Sequence, residues 1–581
     1  MINRQAVTHR PCSEFAYAED EQTLVIRLRA ARDNLLSCVL YYGDRADPSN
    51  APVFTAVPMR AAASDLLWDW FEVKLSPVYP RVQYYFELQT AQERAFFYAD
   101  HFAEALPGLR LGDRWLDHRC EYYQFPYIRR EDLYTVPAWF QNAVVYNVFP
   151  DSFASAEGRL EAQAKRVERE GIVSVSRLGG TLNGIRMNLA YVQALGFNTL
   201  YLNPFFHAEA YHKYDTVDYL HVDPCMGTDE DFAALVNEVH RRGMHILIDG
   251  VFNHCGQNFF AFRDLLEKQE ASPYRDWFYT APLPAALPNE GEPPSYACFA
   301  YVPSMPKLNT GNDEASAYFC EVGKHWVREY GVDGWRLDVA NEVDHRFWRD
   351  FHSAVLSVNP QAVLIAEAWE EARSFVCADQ FHAAMCYDFR RFARDFFALG
   401  AMDAAQMNDR LVWLRMRYSE PAARAQLNLL DSHDVPRFLS LCGGNTAKLR
   451  QAIALLMLFP GVPCLFYGDE RELQGIEENE YRQPMPWDAA PCETERFVKE
   501  AAALRMLPAT KQASFHTLSA ERGSGLLGFA LQGTAQTVQA WFNAGSKSEA
   551  VPALSGKVVL AQGYFAKEGL LEAEGLVVAV G

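Results

Sequence analysis

The sequence contains no CxxC pair, no apolar run long enough to cross a bilayer and no excess of basic residues. Each shortage excludes a class of function. The twelve cysteines stand singly between Cys12 and Cys492, a pattern that offers neither a zinc site nor a dithiol redox centre, so reduced and mostly buried thiols are expected. Without an apolar stretch of about 20 residues there is no candidate transmembrane helix. The opening MINRQAVTHRPCSEF lacks the apolar core of a signal peptide, and a cytoplasmic location is the expectation. Asp and Glu number 74 against 54 Lys and Arg, a formal charge of -20 that repels nucleic acid and anionic membranes. Neither is expected as a partner, and a neutral substrate suits the chain better. Fixed-period repeats and low-complexity segments are also lacking.

What is present suffices for several domains. The 581 residues are 49% apolar, 13% aromatic and 22% charged, a globular composition with more aromatics than packing alone asks for. Surfaces that stack on sugars are one use for the surplus. Residues from about 8 to 122 alternate short β-rich runs, such as TLVIRLRA, SCVLYYG and VQYYFELQ, with turn formers. Residues 1–125 therefore read as an N-terminal β-sandwich. From Ala138 onward apolar strands alternate with amphipathic helical stretches, the signature of βα units around a parallel sheet. AVVYNVF, TLYLNPF, HILIDGV, GWRLDVA, VLIAEAW, AMCYDF, LNLLDSHD and PCLFYGDE give eight strands in order. Eight such units predict a closed (β/α)8 TIM barrel over residues 135–506, with its active site at the carboxyl ends of the strands. Residues 255–312, rich in proline and aromatics, are too many for an ordinary loop after the third strand. They read as an inserted subdomain that walls the cleft. Residues 507–581, with LLGFALQ, TVQAWFN and KVVLAQGYF, read as a small C-terminal β-sandwich.

The chemistry sits in runs at the strand ends. GWRLDVANE places Asp338 two residues after Arg336, so on a strand both side chains point the same way. The arginine favours an ionised Asp338, as a carboxylate nucleophile requires. DGVFNHCG adds Asp249, Asn253 and His254, AEAWE adds Glu367, and LLDSHD adds His433 and Asp434. Hydrolysing an acetal between sugars needs a protonated acid to assist the leaving oxygen and a second carboxylate that attacks or directs water. Asp338 suits the second role. Glu367 lies between Ala366 and Ala368 and before Trp369, neighbours expected to raise its pKa and keep it protonated for the first role. Asp434 is placed to stabilise positive charge developing on the sugar, and Asp249 to pair with Arg336 and position it.

In order and content these runs resemble the four signature regions of the alpha-amylase family of retaining glycoside hydrolases. Carried over by that resemblance, Asp338 matches the nucleophile, Glu367 the general acid/base and Asp434 the transition-state stabiliser. Arg336, His254 and His433 match residues that contact or orient substrate. HKYDTVDY contributes His212 and Tyr214, which resemble the residues that stack on and hold the sugar before the scissile bond. Retention through a covalent glycosyl intermediate is implied, with the two key carboxyls about 5 to 5.5 Å apart. Within the family the chain most resembles the neopullulanase, cyclomaltodextrinase and maltogenic amylase group, through MPKLN, the VANE ending, YGDE, HRPCSEFAYAED and SDLLWDWF. The resemblance implies cleavage of α-1,4 bonds in cyclodextrins, pullulan (to panose) and maltooligosaccharides or starch, with some transglycosylation. It also implies a homodimer built through the N-terminal domain. The alternatives are an exo-acting α-glucosidase or oligo-1,6-glucosidase of the same family and, from another class, a non-catalytic barrel protein.

Some positions depart from the group's pattern. A calcium-binding run like NGDPSNDP, with a later GGD, is replaced by SFASAEGRL and GGT, so no metal and no other cofactor is expected there. Ala366 stands for the usual glycine, and Glu370 for the usual histidine after Trp369. Arg482 in ENEYRQPMPWD matches a substrate-binding arginine, but its acidic partner is Glu478 where the group has Asp. Trp369 reads as a sugar-stacking ring, and Phe205 and Phe206 as packing or stacking. Glu342 reads as a helix-start residue or an acceptor-side determinant, and SDLLWDWF as an internal sandwich strand or a dimer contact.

Overall fold

The computed structural model describes the chain except for residues 48–52, 100, 105–121, 157–159, 161–162, 281–282, 290–291 and 512. It divides into two compact units. One comprises Met1–Thr135, Met402–Arg424 and Phe515–Ala530, the other Val136–Ala401, Ala425–Ser514 and Leu531–Gly581.

In the first unit two antiparallel sheets face each other. One has the order Ala16–Asp20, Thr23–Ala31, Trp68–Leu75, Arg60–Ser64, and the other runs Thr55–Pro58, Ser37–Asp44, Val82–Gln89, Arg94–Tyr98, His101–Ala103. Alternation decides what each strand buries: Leu24, Ile26 and Leu28 meet Leu40, Tyr84, Phe86 and Leu88 in one core. The WDWF half of SDLLWDWF opens the internal strand Trp68–Leu75, paired with Thr23–Ala31 on one edge and Arg60–Ser64 on the other, while Asp65–Leu67 make the turn into it. Its Trp70 turns to the opposite face and packs with Phe15 on Val412 and Met416 of the helix Ala404–Met416. The fully buried Arg27 pairs with Glu72 at 2.9 Å and donates to the Tyr418 carbonyl at 2.7 Å.

The second unit is built on eight parallel strands: β1 Val145–Val148, β2 Thr199–Leu202, β3 His245–Gly250, β4 Gly334–Leu337, β5 Val363–Ala366, β6 Ala383–Cys386, β7 Leu427–Leu429 and β8 Val462–Phe466. They close in that order, β8 pairing with β1. All eight predicted strands are present. Their runs are apolar on both faces because a barrel strand is covered inside by its neighbours and outside by helices. Val145, Tyr201, Leu247, Val363, Ile365, Met385, Leu427 and Val462 form the interior. The excursion after β3 carries the helix Phe260–Lys268 and returns to the strand end through bridges at His254 with Lys307 and Phe278 with Leu308. A helix follows over Asp313–Tyr330, its first turn capped by the Asn312 side chain, which accepts from the Glu314 and Ala315 N–H groups. At the chain's end Leu570–Val580 pairs antiparallel with Thr537–Asn543 and Lys557–Phe565.

At the amino ends of the strands Asp333 accepts from His240 at 2.9 Å, His245 at 3.2 Å and the Ile246 N–H at 2.9 Å. Burial alone would raise its pKa, but those hydrogen bonds hold it below the ordinary carboxylate value. The same bond raises His240. A depressed carboxyl stabilises above its unfolded pKa, and a raised imidazole stabilises below its own and loses that contribution as pH rises through the folded value. Their mutual support is therefore greatest in mildly acidic solution. Asp333→Asn is expected to lower the thermal midpoint more at pH 6 than at pH 9, which unfolding scans across that range will check.

Candidate active site

Each chemical run lies at the carboxyl end of a barrel strand, and one residue joins them. Arg336, on β4, is fully buried, and its Nη1 donates to Asp249 Oδ1 at 2.8 Å and to Asp338 Oδ1 at 2.8 Å. Its Nη2 lies 2.8 Å from Glu367 Oε1 and 3.9 Å from Asp434 Oδ2, as ion pairs without hydrogen-bond alignment. The register pairs Asp249 on β3 directly with Arg336 on β4, so the Asp249 contact follows from the sheet itself. Asp249 Oδ2 also accepts from Tyr201 and Tyr214, which fixes it as the anchor for the arginine.

The electrostatics differ from the sequence expectation. Burial, and then the neighbouring Glu367 charge, push the Asp338 carboxyl well above the usual range, and Arg336 only partly opposes them. Glu367 does not lie in an apolar setting: its Oε1 accepts from the Trp369 indole N–H at 3.0 Å and its Oε2 from the Val339 N–H at 2.8 Å. The alanines beside it in sequence do not set its surroundings; groups from β4 and its own loop do. Val339 reaches it from a left-handed conformation, φ 45° and ψ 44°, that β-branched residues avoid and that marks stored strain. Burial would also raise Asp434, yet His433, at 2.9 Å, and the Arg336 and Arg482 charges hold it well below the ordinary carboxylate range.

The histidines take defined tautomers. Asn203 donates to His433 Nδ1 at 2.8 Å, so Nε2 carries the proton toward Asp434 and Tyr214. Tyr214 stacks on His433, ring centres 5.4 Å apart and nearly parallel. Burial, reinforced by the Lys307 and His212 charges, lowers His254 to about 3; burial and Arg482 lower His212 to about 4. Both rings are thus neutral. His254 Nδ1 faces the Asn253 amide at 3.2 Å, while its buried Nε2 has no hydrogen-bond partner among the described residues. His212 Nδ1 accepts from the Tyr214 N–H at 3.1 Å. With Nδ1 accepting, each ring carries its proton on Nε2, a donor of the kind a sugar hydroxyl can accept from.

Arg482 is buried beside Asp434, with Nη2 at 3.3 Å from Oδ1, while its Nε donates to the His433 carbonyl at 2.7 Å. The substituted Glu478 still pairs with it, Oε1 to Nη1 at 2.6 Å, and Tyr211 bonds to both. Trp369 is 50% exposed, one face covered by Tyr387 at 4.2 Å and 10°. Glu342 is exposed, and Lys307 of MPKLN donates to its carbonyl at 3.0 Å and to Asn253 Oδ1. Phe205 and Phe206 pack on Phe232 and Trp326, away from this group. The sequence reading missed Tyr201, Asn203, Tyr211, Tyr387 and the role of Lys213. That lysine, between His212 and Tyr214, is wholly buried on Asp223, Ser174 and Val175 at 2.9, 2.7 and 2.8 Å. A charged residue inside the candidate run HKYDTVDY was the available signal.

Of the run that stands in place of the resembled group's calcium segment, SFASAEGRL, residues 157–159 lie outside the described residues. The Gly179 carbonyl accepts from Lys165 Nζ at 3.2 Å. Asp151 is spent on the Ser176 hydroxyl and the N–H groups of Arg177, Leu178 and Gly179. Among the described residues no cluster of three or more His, Cys, Asp and Glu is arranged to hold a metal.

Residues 147–506 match the alpha amylase catalytic domain, and residues 1–129 the alpha amylase N-terminal ig-like domain. The chain belongs to the alpha-amylase family of glycoside hydrolases. It is 37% identical over 509 residues to a cyclomaltodextrinase of Geobacillus thermopakistaniensis (strain MAS1), covering 87% of this chain and 84% of that one. It is 39% identical over 492 residues to neopullulanase 2 of Thermoactinomyces vulgaris, covering 83% and 81%. A solved cyclomaltodextrinase superposes over 100% of both chains with a TM-score of 0.88 and 31% identity. For an alpha-amylase family site, four carboxyls around one guanidinium is a burden on the free protein. The raised Asp338 carboxyl costs stability wherever it must ionise. Asp338→Asn is expected to raise the thermal midpoint at pH 7 by a few degrees while removing activity, a pairing that calorimetry and a turnover assay check together.

Proposed function

We propose that this alpha-amylase family enzyme cleaves α-1,4-glucosidic bonds of cyclodextrins, pullulan and maltooligosaccharides with retention, and transfers part of the glycosyl product to sugar acceptors. The observation that carries this reading is Arg336 holding Asp249, Asp338 and Glu367 together, with Asp434 at the edge. The raised Asp338 keeps a proton within the Asp338 and Glu367 pair, and the productive state has it on Glu367. Asp338 then attacks the anomeric carbon, the bond to the glycosidic oxygen breaks, and Glu367 gives that oxygen its proton. Water, or a sugar hydroxyl in transfer, next loses its proton to Glu367 and attacks the same carbon, releasing Asp338. Asp434, ionised beside His433 and Arg482, faces the positive charge of both transition states. The neutral His254 and His212, with Tyr214 and Arg482, hold the donor sugar; Trp369 and Glu342 face the acceptor.

The relatives named cyclomaltodextrinase and neopullulanase support the substrate class. One relative is named intracellular maltogenic amylase, from Bacillus subtilis, and no described helix is long and apolar enough to cross a membrane; both favour a cytoplasmic enzyme. The N-terminal sandwich, matched to the family's N-terminal domain, is assigned as the dimer-forming part of a homodimer, and a monomer in light scattering at micromolar concentration would refute that assignment. Wild type is expected to release maltose from β-cyclodextrin and panose from pullulan, and Glu367→Gln to release neither, as chromatography of the products will check. Glucose from short linear glucosides, with ring and polymer untouched, overturns the assignment in favour of an exo-acting glucosidase.

A further inference from the structure

Glu367 is held from two sides, and one of the holders is itself braced. The Trp369 indole N–H donates to Oε1 at 3.0 Å. The opposite edge of that contact is not free to tilt, because Tyr387, buried at the start of the helix after β6, covers one face of the indole at 4.2 Å and 10°. The Tyr387 hydroxyl meets Ser432 Oγ at 3.4 Å, and Ser432 Oγ accepts from the Asp434 N–H at 3.2 Å. A single ring from β6 thus stands between the loop of Glu367 after β5 and the loop of Asp434 after β7. Burial, and then the Glu367 and Asp434 charges, keep its hydroxyl neutral.

We propose that Tyr387 and Trp369 form a positioning pair for the acid: Tyr387 fixes the indole plane, and the indole N–H fixes the carboxyl of Glu367 against the leaving oxygen. This rests on the reading of Glu367 as general acid/base. Stacking on a sugar occupies only the exposed face of Trp369, so the two uses of the ring coexist. Neither residue touches the reacting atoms in this role. The carboxyl without its N–H anchor rotates about its last bond, and the proton is then delivered less often along the line to the departing oxygen.

Proton delivery matters only when the leaving group needs it, and that separates this role from packing or sugar stacking. Trp369→Phe keeps an aromatic ring and loses the N–H. Tyr387→Leu loses the brace, and Tyr387→Phe keeps it. For β-cyclodextrin and maltotriose, whose leaving groups are sugar alkoxides, kcat/KM, which reports formation of the glycosyl intermediate and not its hydrolysis by the same Glu367, is expected to fall roughly 10- to 100-fold in Trp369→Phe and Tyr387→Leu, a part of what general acid catalysis supplies. With α-maltosyl fluoride, which departs without a proton, the loss is expected to stay within about threefold. Tyr387→Phe is expected to lose less than Tyr387→Leu on the sugars. Glu367→Gln sets the scale and should show the same selectivity more strongly. Equal losses on fluoride and sugar in Trp369→Phe, with Glu367→Gln selective, overturn the inference alone. Equal losses in Glu367→Gln itself overturn the acid/base reading and this inference with it. Should Tyr387→Leu fail to fold by circular dichroism, Trp369→Phe and Tyr387→Phe decide the matter.

Discussion

The Arg336 guanidinium is the point on which the barrel's chemistry turns. It is wholly buried, and only the carboxylates around it make that burial tolerable. Asp249 is delivered to it by strand register and Asp338 by chain adjacency, while Glu367 and Asp434 arrive from β5 and β7. Removing one charge among them therefore changes the protonation of the others, since two unit charges about 4 Å apart interact by roughly 4 kcal/mol even at an effective dielectric of 20. One positive charge cannot ionise four acids at once. Asp338 is the member that burial and Glu367 push upward, and Asp434 the one that His433, Arg336 and Arg482 pull down. The site thus holds one carboxyl, Asp338, that keeps a proton easily and one, Asp434, that does not, and acetal cleavage requires the proton retained beside Asp338 to sit on its neighbour Glu367.

Much of this was legible before any coordinates. The eight strands are apolar at most positions on both faces, the pattern of a doubly covered sheet, and each motif was found at a strand's carboxyl end because the barrel puts its loops there. The pairing of Asp249 with Arg336 followed from chemistry and was met. What could not be read was anything fixed by contact across the barrel mouth. The sequence sets Glu367 among alanines, but its carboxyl meets Val339, Trp369 and Arg336, the last two through side-chain direction and the first through a strained φ that no residue preference foretells for valine. Tyr387 belongs to a plain run, AMCYDF, and gains its position only because β6 lies between β5 and β7. Asp333 likewise gains its partners only in the fold, where His240 and His245, about ninety residues earlier, converge on it.

The neutral histidines show how burial makes selective use of a common residue. A protonated imidazole beside Arg336 and Arg482 would add charge to an already crowded cleft, and desolvation forbids it at His254 and His212. Each then offers one N–H donor and one occupied acceptor. A neutral sugar hydroxyl is bound by such donors without a charge change, so the donor subsite can be tightly polar and still favour an uncharged ligand.

Holding these donors in place requires rigidity in a loop, which loops rarely have. Here the rigidity comes from Lys213, whose ammonium has no exposure and sits on Asp223 with the Ser174 hydroxyl and the Val175 carbonyl completing its donors. The residue is left-handed, φ 66°, so its two neighbours, His212 and Tyr214, leave it in directions a β or helical residue would not allow. A buried, fully partnered charge resists displacement because any rearrangement exposes an unpaired ammonium in a dry interior. The same logic applies at Arg336: each buried cation is locked by its acidic and polar partners, and the candidate site residues hang on either side of it. The carboxyls around Arg336 and the rings beside Lys213 are therefore positioned by charge burial, and the stability this costs is offset by the apolar barrel beneath.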